Sequence, residues 1–184
     1  MTARATLLAG RLARFLNDRR AVTAVEFAIL LPLLLTIYIG SAEVAQGIAI
    51  KHKVTLTAHA VADLSTQFTA INNADMANIF KAASAIIAPY ATSGLQATVS
   101  EIAVDGQGNA TVAWSDSLNG TALPVGQAVT VPAALAVPNT YLILGQAQYS
   151  YNPTYGYVLT STLTLSDQIF LLPRQSGSIA RTPS

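Results

Sequence analysis

VTAVEFAILLPLLLTIYIGSA, residues Val22 to Ala42, holds one charged side chain, Glu26, in 21 positions. As an α-helix it would extend about 31 Å at roughly 1.5 Å per residue, the thickness of a bilayer hydrocarbon core. The stretch therefore reads as a transmembrane helix, and the rest of the chain is organised around it. Arg4, Arg11, Arg14, Arg19 and Arg20 lie upstream, whereas the first bases downstream are Lys51 and Lys53. This bias predicts a cytoplasmic N-terminus and an ectodomain on the far side of the membrane.

A charged start before an apolar run also describes a secretory signal. The run is longer than a usual signal core, and the nearest small-x-small site, Ala58-His59-Ala60, lies beyond Glu43, Lys51 and Lys53. Arg19-Arg20 could open a twin-arginine signal, but the segment after it is more hydrophobic than such signals are. The anchor reading is preferred over both.

With 184 residues, 52% apolar and 10% charged, the chain has room for one membrane helix and one modest domain. Residues 54–184 carry three basic and six acidic side chains, so no basic stripe exists there for nucleic acid. The absence of cysteine excludes disulfides, Cys-type zinc sites and thiol catalysis.

A charged carboxylate at mid-bilayer costs about 2.5–3.5 kcal/mol, and less near an end of the span. Glu26 lies a little over one turn in. It reaches the cytoplasmic interface, stays protonated, or is neutralised by a cation from another chain. Pro32 removes one backbone hydrogen bond and marks a candidate kink. Tyr38 reads as an interfacial aromatic. In the leader, Leu8, Leu12, Phe15 and Leu16 alternate with arginines in a basic amphipathic pattern suited to an anionic membrane surface.

RRAVTAVEFAILLPLLL (Arg19–Leu35) resembles the start of TadE-type minor pseudopilins of the tight-adherence (Flp) pilus system. Members of that family read Gly-Ala-x-Ala-Val-Glu-Phe-Ala, then an apolar run with an early Pro and a Glu near its far end. Ala24-Val25-Glu26-Phe27-Ala28, Pro32 and Glu43 take those places, and the resemblance covers roughly residues 19–64. It implies cleavage by an aspartic prepilin peptidase at Ala21–Val22, so that Glu26 becomes the fifth residue of the mature chain. Glu26, with Phe27 beside it, would then serve assembly, its carboxylate facing the new amino group of a neighbouring helix. Ala21 departs from the family's Gly, which leaves an uncleaved, anchored scaffold as the alternative.

Beyond Ala42, Val54, Ala58, Val61, Leu64 and Phe68 recur at spacings of three and four and predict an amphipathic continuation of the helix over residues 43–70. A second helix is predicted over Asn73–Tyr90, with Met76, Ile79, Phe80, Ala83 and Ile87 on one face and a cap at Asn73 to Asp75. Strands are predicted at Leu95–Val104 and Ala110–Leu118 around the loop Asp105–Asn109, and at Leu142–Tyr151 and Tyr157–Leu165 around Asn152–Gly156. Asn119–Thr140, with Pro124, Pro132 and Pro138, reads as loop in which Gln127–Val131 could pair. The tail 175–184 reads as disordered.

Signals for catalysis are sparse. His52 and His59 stand seven apart on a helix, a poor spacing for a metal. Asp63-Leu64-Ser65-Thr66-Gln67 begins like a metal-binding Asp-x-Ser-x-Ser loop but ends on Gln67. Asn109-Ala110-Thr111 and Asn119-Gly120-Thr121 match the glycosylation sequon, which occurs readily by chance. No phosphate loop, nucleophile elbow or paired acids appear.

The sequence thus predicts an α+β protein, and the resemblance implies a pilin-like form, one long helix packed on a small antiparallel sheet: leader 1–21, span 22–42, helical continuation 43–70, ectodomain 71–174 and tail 175–184. The residues of interest are Ala21 and Val22 for processing, Glu26 and Phe27 for assembly, and Pro32 for a kink. The expected partners are the inner membrane, the prepilin peptidase and other pilins or the assembly platform, with no cofactor, metal or nucleic acid. An envelope enzyme or sensor with an unrelated ectodomain is a further alternative.

Overall fold

The structure, a computed structural model, describes residues 19–153 and 161–182. The amphipathic leader up to Asp18, and Tyr155 and Tyr157, lie outside the described residues.

Helix α1 runs from Arg19 to Thr66 in one piece of 48 residues, roughly 72 Å at about 1.5 Å per residue. Pro32 stands inside it without ending it, and the Thr36 hydroxyl donates to the Pro32 carbonyl at 2.8 Å. The helix stops where Ser65 and Thr66 turn their hydroxyls back onto the carbonyls of Val61 and Asp63. A short strand, β1 (Ala70–Asn72), leads into α2 (Asn73–Ile87).

The cap of α2 is Asn72, one residue earlier than expected. Its side chain accepts from Asp75 N at 2.9 Å while Asp75 accepts from Asn72 N at 3.2 Å, a reciprocal capping box. Met76, Ile79, Ala83 and Ile87 are buried, as their spacing requires. Lys53 of α1 donates to the carbonyls of Ile86 and Ala88 at 2.9 and 2.7 Å, closing the far end of α2.

Strands β2 (Leu95–Val104), β3 (Ala110–Leu118), β4 (Thr140–Tyr151) and β5 (Leu163–Leu171) form one antiparallel sheet in the order β3-β2-β4-β5. The β2–β3 loop closes because Asp105 accepts from Gln107 N, Asn109 N and the Asn109 amide, each at 2.8 Å. Gly108 supplies the positive φ of 85° that this turn needs.

α1 and α2 cover one face of the sheet. Near the anchor, Ile50, Val54 and Ala58 pack on Leu95, Ala147, Tyr149 and Tyr151; farther up, Val61, Ala62, Met76 and Ile79 pack on Ala97, Val99, Trp114 and Ile143. Each fully buried Ile or Leu contributes about 1.5–3 kcal/mol of transfer free energy. On the other face, Ile102, Val104, Val112, Leu142 and Leu144 are covered by Leu123, Val129, Val131 and Leu135 from the proline-rich excursion. That excursion is pinned to β3: Val112 N donates to Gln127 O at 3.0 Å and Val129 N to Ala110 O at 2.9 Å, so the possible pairing of Gln127–Val131 forms.

Two expectations are corrected. The last sheet strand begins at Leu163 and continues to Leu171, whereas the sequence places it at Tyr157–Leu165. Asp167 breaks the alternation of this segment, and its compensation comes from α1, where Lys51 reaches it at 3.2 Å and the Thr55 hydroxyl donates to it. The tail, read as disordered, instead forms β6 (Ala180–Thr182), which pairs in parallel with β1. Buried Ile179 and the guanidinium of Arg181, 2.7 Å from Asp116, hold it in place.

Candidate functional site

α1 is two helices in chemistry and one in geometry. From Val22 to Tyr38 the side chains are exposed, and the apolar window, of mean hydropathy 2.2, is 0% buried. Burial starts at Gly40 and Glu43, then recurs at Gly47, Ile50, Val54, Ala58, Val61, Ala62 and Ser65. The steps of three and four are those of a helix with one face against a body. The ectodomain therefore leaves bare residues 22–38 of the stretch read as the span, and no loop separates the bare and buried parts.

Val22 and Glu26 are one turn apart on this bare half, so helical geometry sets them on the same side. Val22 is 56% and Phe27 58% exposed, and Glu26 and Pro32 are exposed as well. None of them touches the ectodomain core. What they offer is a projecting apolar rod with one carboxylate near its start.

Glu43 sits at the opposite end of the rod and is 1% exposed. It lies at the foot of β4, where the Tyr151 hydroxyl donates to Gln46 Oε1 at 3.1 Å. Burial, then the charges of Glu43 and Tyr90, push the Tyr151 hydroxyl up from its ordinary range. Both acidic residues of the family-like pattern thus mark ends: Glu26 the open end of the rod, Glu43 its junction with the folded domain.

The remaining candidates resolve into structural roles. His52 and His59 are exposed on α1, and among the described residues no group of three His, Cys, Asp or Glu could hold a metal. Asp63 lies in α1, not in a loop, and pairs with Arg174. Both sequon asparagines are engaged: the Asn109 amide bonds Asp105, and the Asn119 amide bonds the carbonyls of Thr92 and Leu95 at 3.2 and 3.0 Å.

The family model that matches is that of TadE-like proteins, over residues 21–63. Those bounds fall inside α1 and take in both the bare rod and most of its buried continuation. Residues 21–63 are a TadE-like segment. The TadE-like match covers fewer than half of the 184 residues, and the domain built by α2 and the sheet lies beyond it. No curated protein and no solved structure matches the chain. Over residues 21–63 the chain is similar to TadE-like proteins of the Tad pilus system, and the apolar, unburied window inside that match is long enough to cross a membrane.

One buried charged group, beyond the TadE-like segment, was missed by sequence reading. Glu101 is 3% exposed on the helix side of β2 and accepts from the buried Ile179 N at 2.6 Å. Trp114 Nε1 donates to Ile179 O at 2.7 Å, so the same residue is held at both backbone groups. Burial pushes the Glu101 carboxyl up, opposed by the Ile179 N–H and by Trp114. The alternation Leu95, Ala97, Val99, Glu101 put a charge at an inward position, and that was the available signal.

Proposed function

We propose that this chain acts by assembly, as a minor pseudopilin that contributes to the initiation, priming or tip of a tight-adherence (Flp) pilus. The observation that carries the reading is the bare TadE-like half of α1, an apolar rod continuous with the core helix of the ectodomain. The arginine bias upstream sets the N-terminus in the cytoplasm and the ectodomain in the periplasm. A prepilin peptidase cuts Ala21–Val22 at the inner membrane, and the new Val22 amino group neutralises Glu26 of an adjacent helix. Phe27 packs beside that pair. The work of the protein is non-covalent.

The experiment is the N-terminal residue of the mature protein, read by mass spectrometry in cells with and without the prepilin peptidase. A start at Val22 that depends on the peptidase is the expected result. A leader retained upstream of Val22 in both strains overturns processing and moves the function to an anchored scaffold of the same apparatus. The specific observation favouring that second reading is Ala21, whose methyl group stands where the family carries Gly.

A further inference from the structure

From Phe27 to Ile50 the chain carries one charged side chain, Glu43. Around it the usual order of a protein surface is reversed. Glu43 is 1% exposed at the foot of the sheet, whereas Val44 and Ile48, one turn apart and off the buried row, are 46% and 67% exposed. Water would draw the carboxylate outward and the two apolar side chains inward. An apolar surrounding does the opposite. The neutral polar groups of this stretch are also used within the protein: the Ser41 hydroxyl donates to the Tyr38 carbonyl at 2.8 Å, and Gln46 Oε1 accepts from the Tyr151 hydroxyl at 3.1 Å. Ile37, Ser41, Val44 and Ile48 recur at steps of four, three and four, so one exposed strip runs unbroken from the bare rod past the foot of the ectodomain.

The length of α1 sets the level of this strip. Counted from Val22 at about 1.5 Å per residue, Glu43 lies about 32 Å along the helix and Ile48 about 39 Å. A hydrocarbon core about 30 Å thick ends near Glu43, so Val44 to Ile48 fall in the headgroup layer beyond it, and a tilted helix sets them deeper. The Tyr151–Gln46 bond fixes the end of β4 at the same level. The first charged side chain past the strip is Lys51, about 44 Å along. We infer that the foot of the ectodomain, with Val44 and Ile48 on its helix, is sunk among the lipid headgroups of the leaflet on the ectodomain side. This rests on the reading of the rod as a membrane span. The partner is the bilayer itself: the domain is seated in its surface, and Glu43 is covered by the foot where it would otherwise meet lipid.

The chain has no cysteine, so a single fluorescent thiol label reports one position. Leu34→Cys, Val44→Cys, Ile48→Cys and His59→Cys, all at exposed positions, are labelled in the full chain and reconstituted into vesicles of phosphatidylethanolamine and phosphatidylglycerol. The vesicles carry a nitroxide quencher on the acyl chain or on the headgroup, and iodide serves as the quencher in water. Leu34 is expected to lose fluorescence to the acyl-chain nitroxide, Val44 and Ile48 to the headgroup nitroxide, and His59 to iodide alone. Val44 and Ile48 labels that behave like His59 beside a lipid-quenched Leu34 overturn the inference and leave the membrane span standing. A Leu34 label that neither lipid quenches overturns the span and the inference together. Labels at Val44 and Ile48 shielded from lipid and iodide alike show a covering protein chain, which also overturns it. The two positions are read separately at an unchanged thermal midpoint, so one that disturbs the fold is replaced by the other.

Discussion

Gly145 of β4 lies directly beneath Ala62 of α1: a Cβ built on Gly145 would stand 2.7 Å from the Ala62 Cβ and 2.5 Å from the Ala58 carbonyl oxygen. Helix and sheet approach closely here, and a hydrogen atom in place of a side chain makes the approach possible. Gly145→Ala is expected to destabilise the ectodomain by about 1–3 kcal/mol through overpacking, read as a lower thermal midpoint by circular dichroism. Ala62→Gly removes only the Cβ contact and leaves the Ala58 carbonyl in place. Adding it is therefore expected to recover less than half of the loss, and full recovery would show that the backbone contact does not limit the packing.

Glu101 makes stability fall as pH rises. Its folded carboxyl is raised above the ordinary range by burial, so the folded state holds a proton that the unfolded chain releases. Stability is then fully present below the unfolded carboxylate range and declines as pH rises through the folded value. Glu101→Gln keeps an acceptor for Ile179 N and removes the titration. The expected outcome is a flatter profile of thermal midpoint against pH for the variant, with its largest gain over wild type on the alkaline side. Parallel profiles for the two proteins would rule the group out.

Asp167 acts with the opposite sign. The Thr55 hydroxyl, and after it Lys51, hold its carboxyl below the ordinary range against the effect of burial. Its contribution is present above the unfolded carboxylate pKa, about 4, and is lost as pH falls through the folded value. The same cluster shields the edge strand: Lys51 Nζ donates to Ser166 O at 2.6 Å and Asp167 Oδ1 accepts from Gln168 N at 3.0 Å. Lys51→Ala is expected to leave backbone groups of β5 open to strand addition. Light scattering should then show concentration-dependent association of the variant under conditions where wild type shows none.

Glu26 is exposed on the rod and remote from the core. Glu26→Gln is therefore expected to leave the stability of the ectodomain within about 0.5 kcal/mol of wild type, as surface substitutions do. In the proposed assembly it should nonetheless abolish co-purification with partner subunits. Partner recovery at wild-type level would remove the amino–carboxylate pairing from the mechanism.

The parts of the fold legible in sequence were those written in local periodicity. α1, α2, β2 and β3 follow from apolar spacings of three and four or of two. What escaped was compensated from far away in the chain. Asp167 looks like a break until Lys51 and Thr55 of α1 are set against it, and β5 runs on through it to Leu171, past the Leu165 at which the segment read as a strand ends. The tail looks structureless because Arg181 finds Asp116, Asn73 and the Ile71 carbonyl only after folding. In the candidate site, the bare rod and its Glu26 were read from hydropathy alone. The burial of Glu101 was not, because its partners are backbone groups of Ile179 and the indole of Trp114.

Because α1 passes from its bare apolar half into the core of the ectodomain without a joint, the described chain has no mechanical buffer between them. A swivelling linker would let an anchor tilt or be drawn upward while the domain stayed at rest. Here a rotation of the bare rod turns the whole sheet by the same angle, and a force along the rod is borne at once by the contacts of Ile50, Val54 and Ala58 with β4. Rod and ectodomain thus form one continuous piece, like a piston with its head cast onto the shaft.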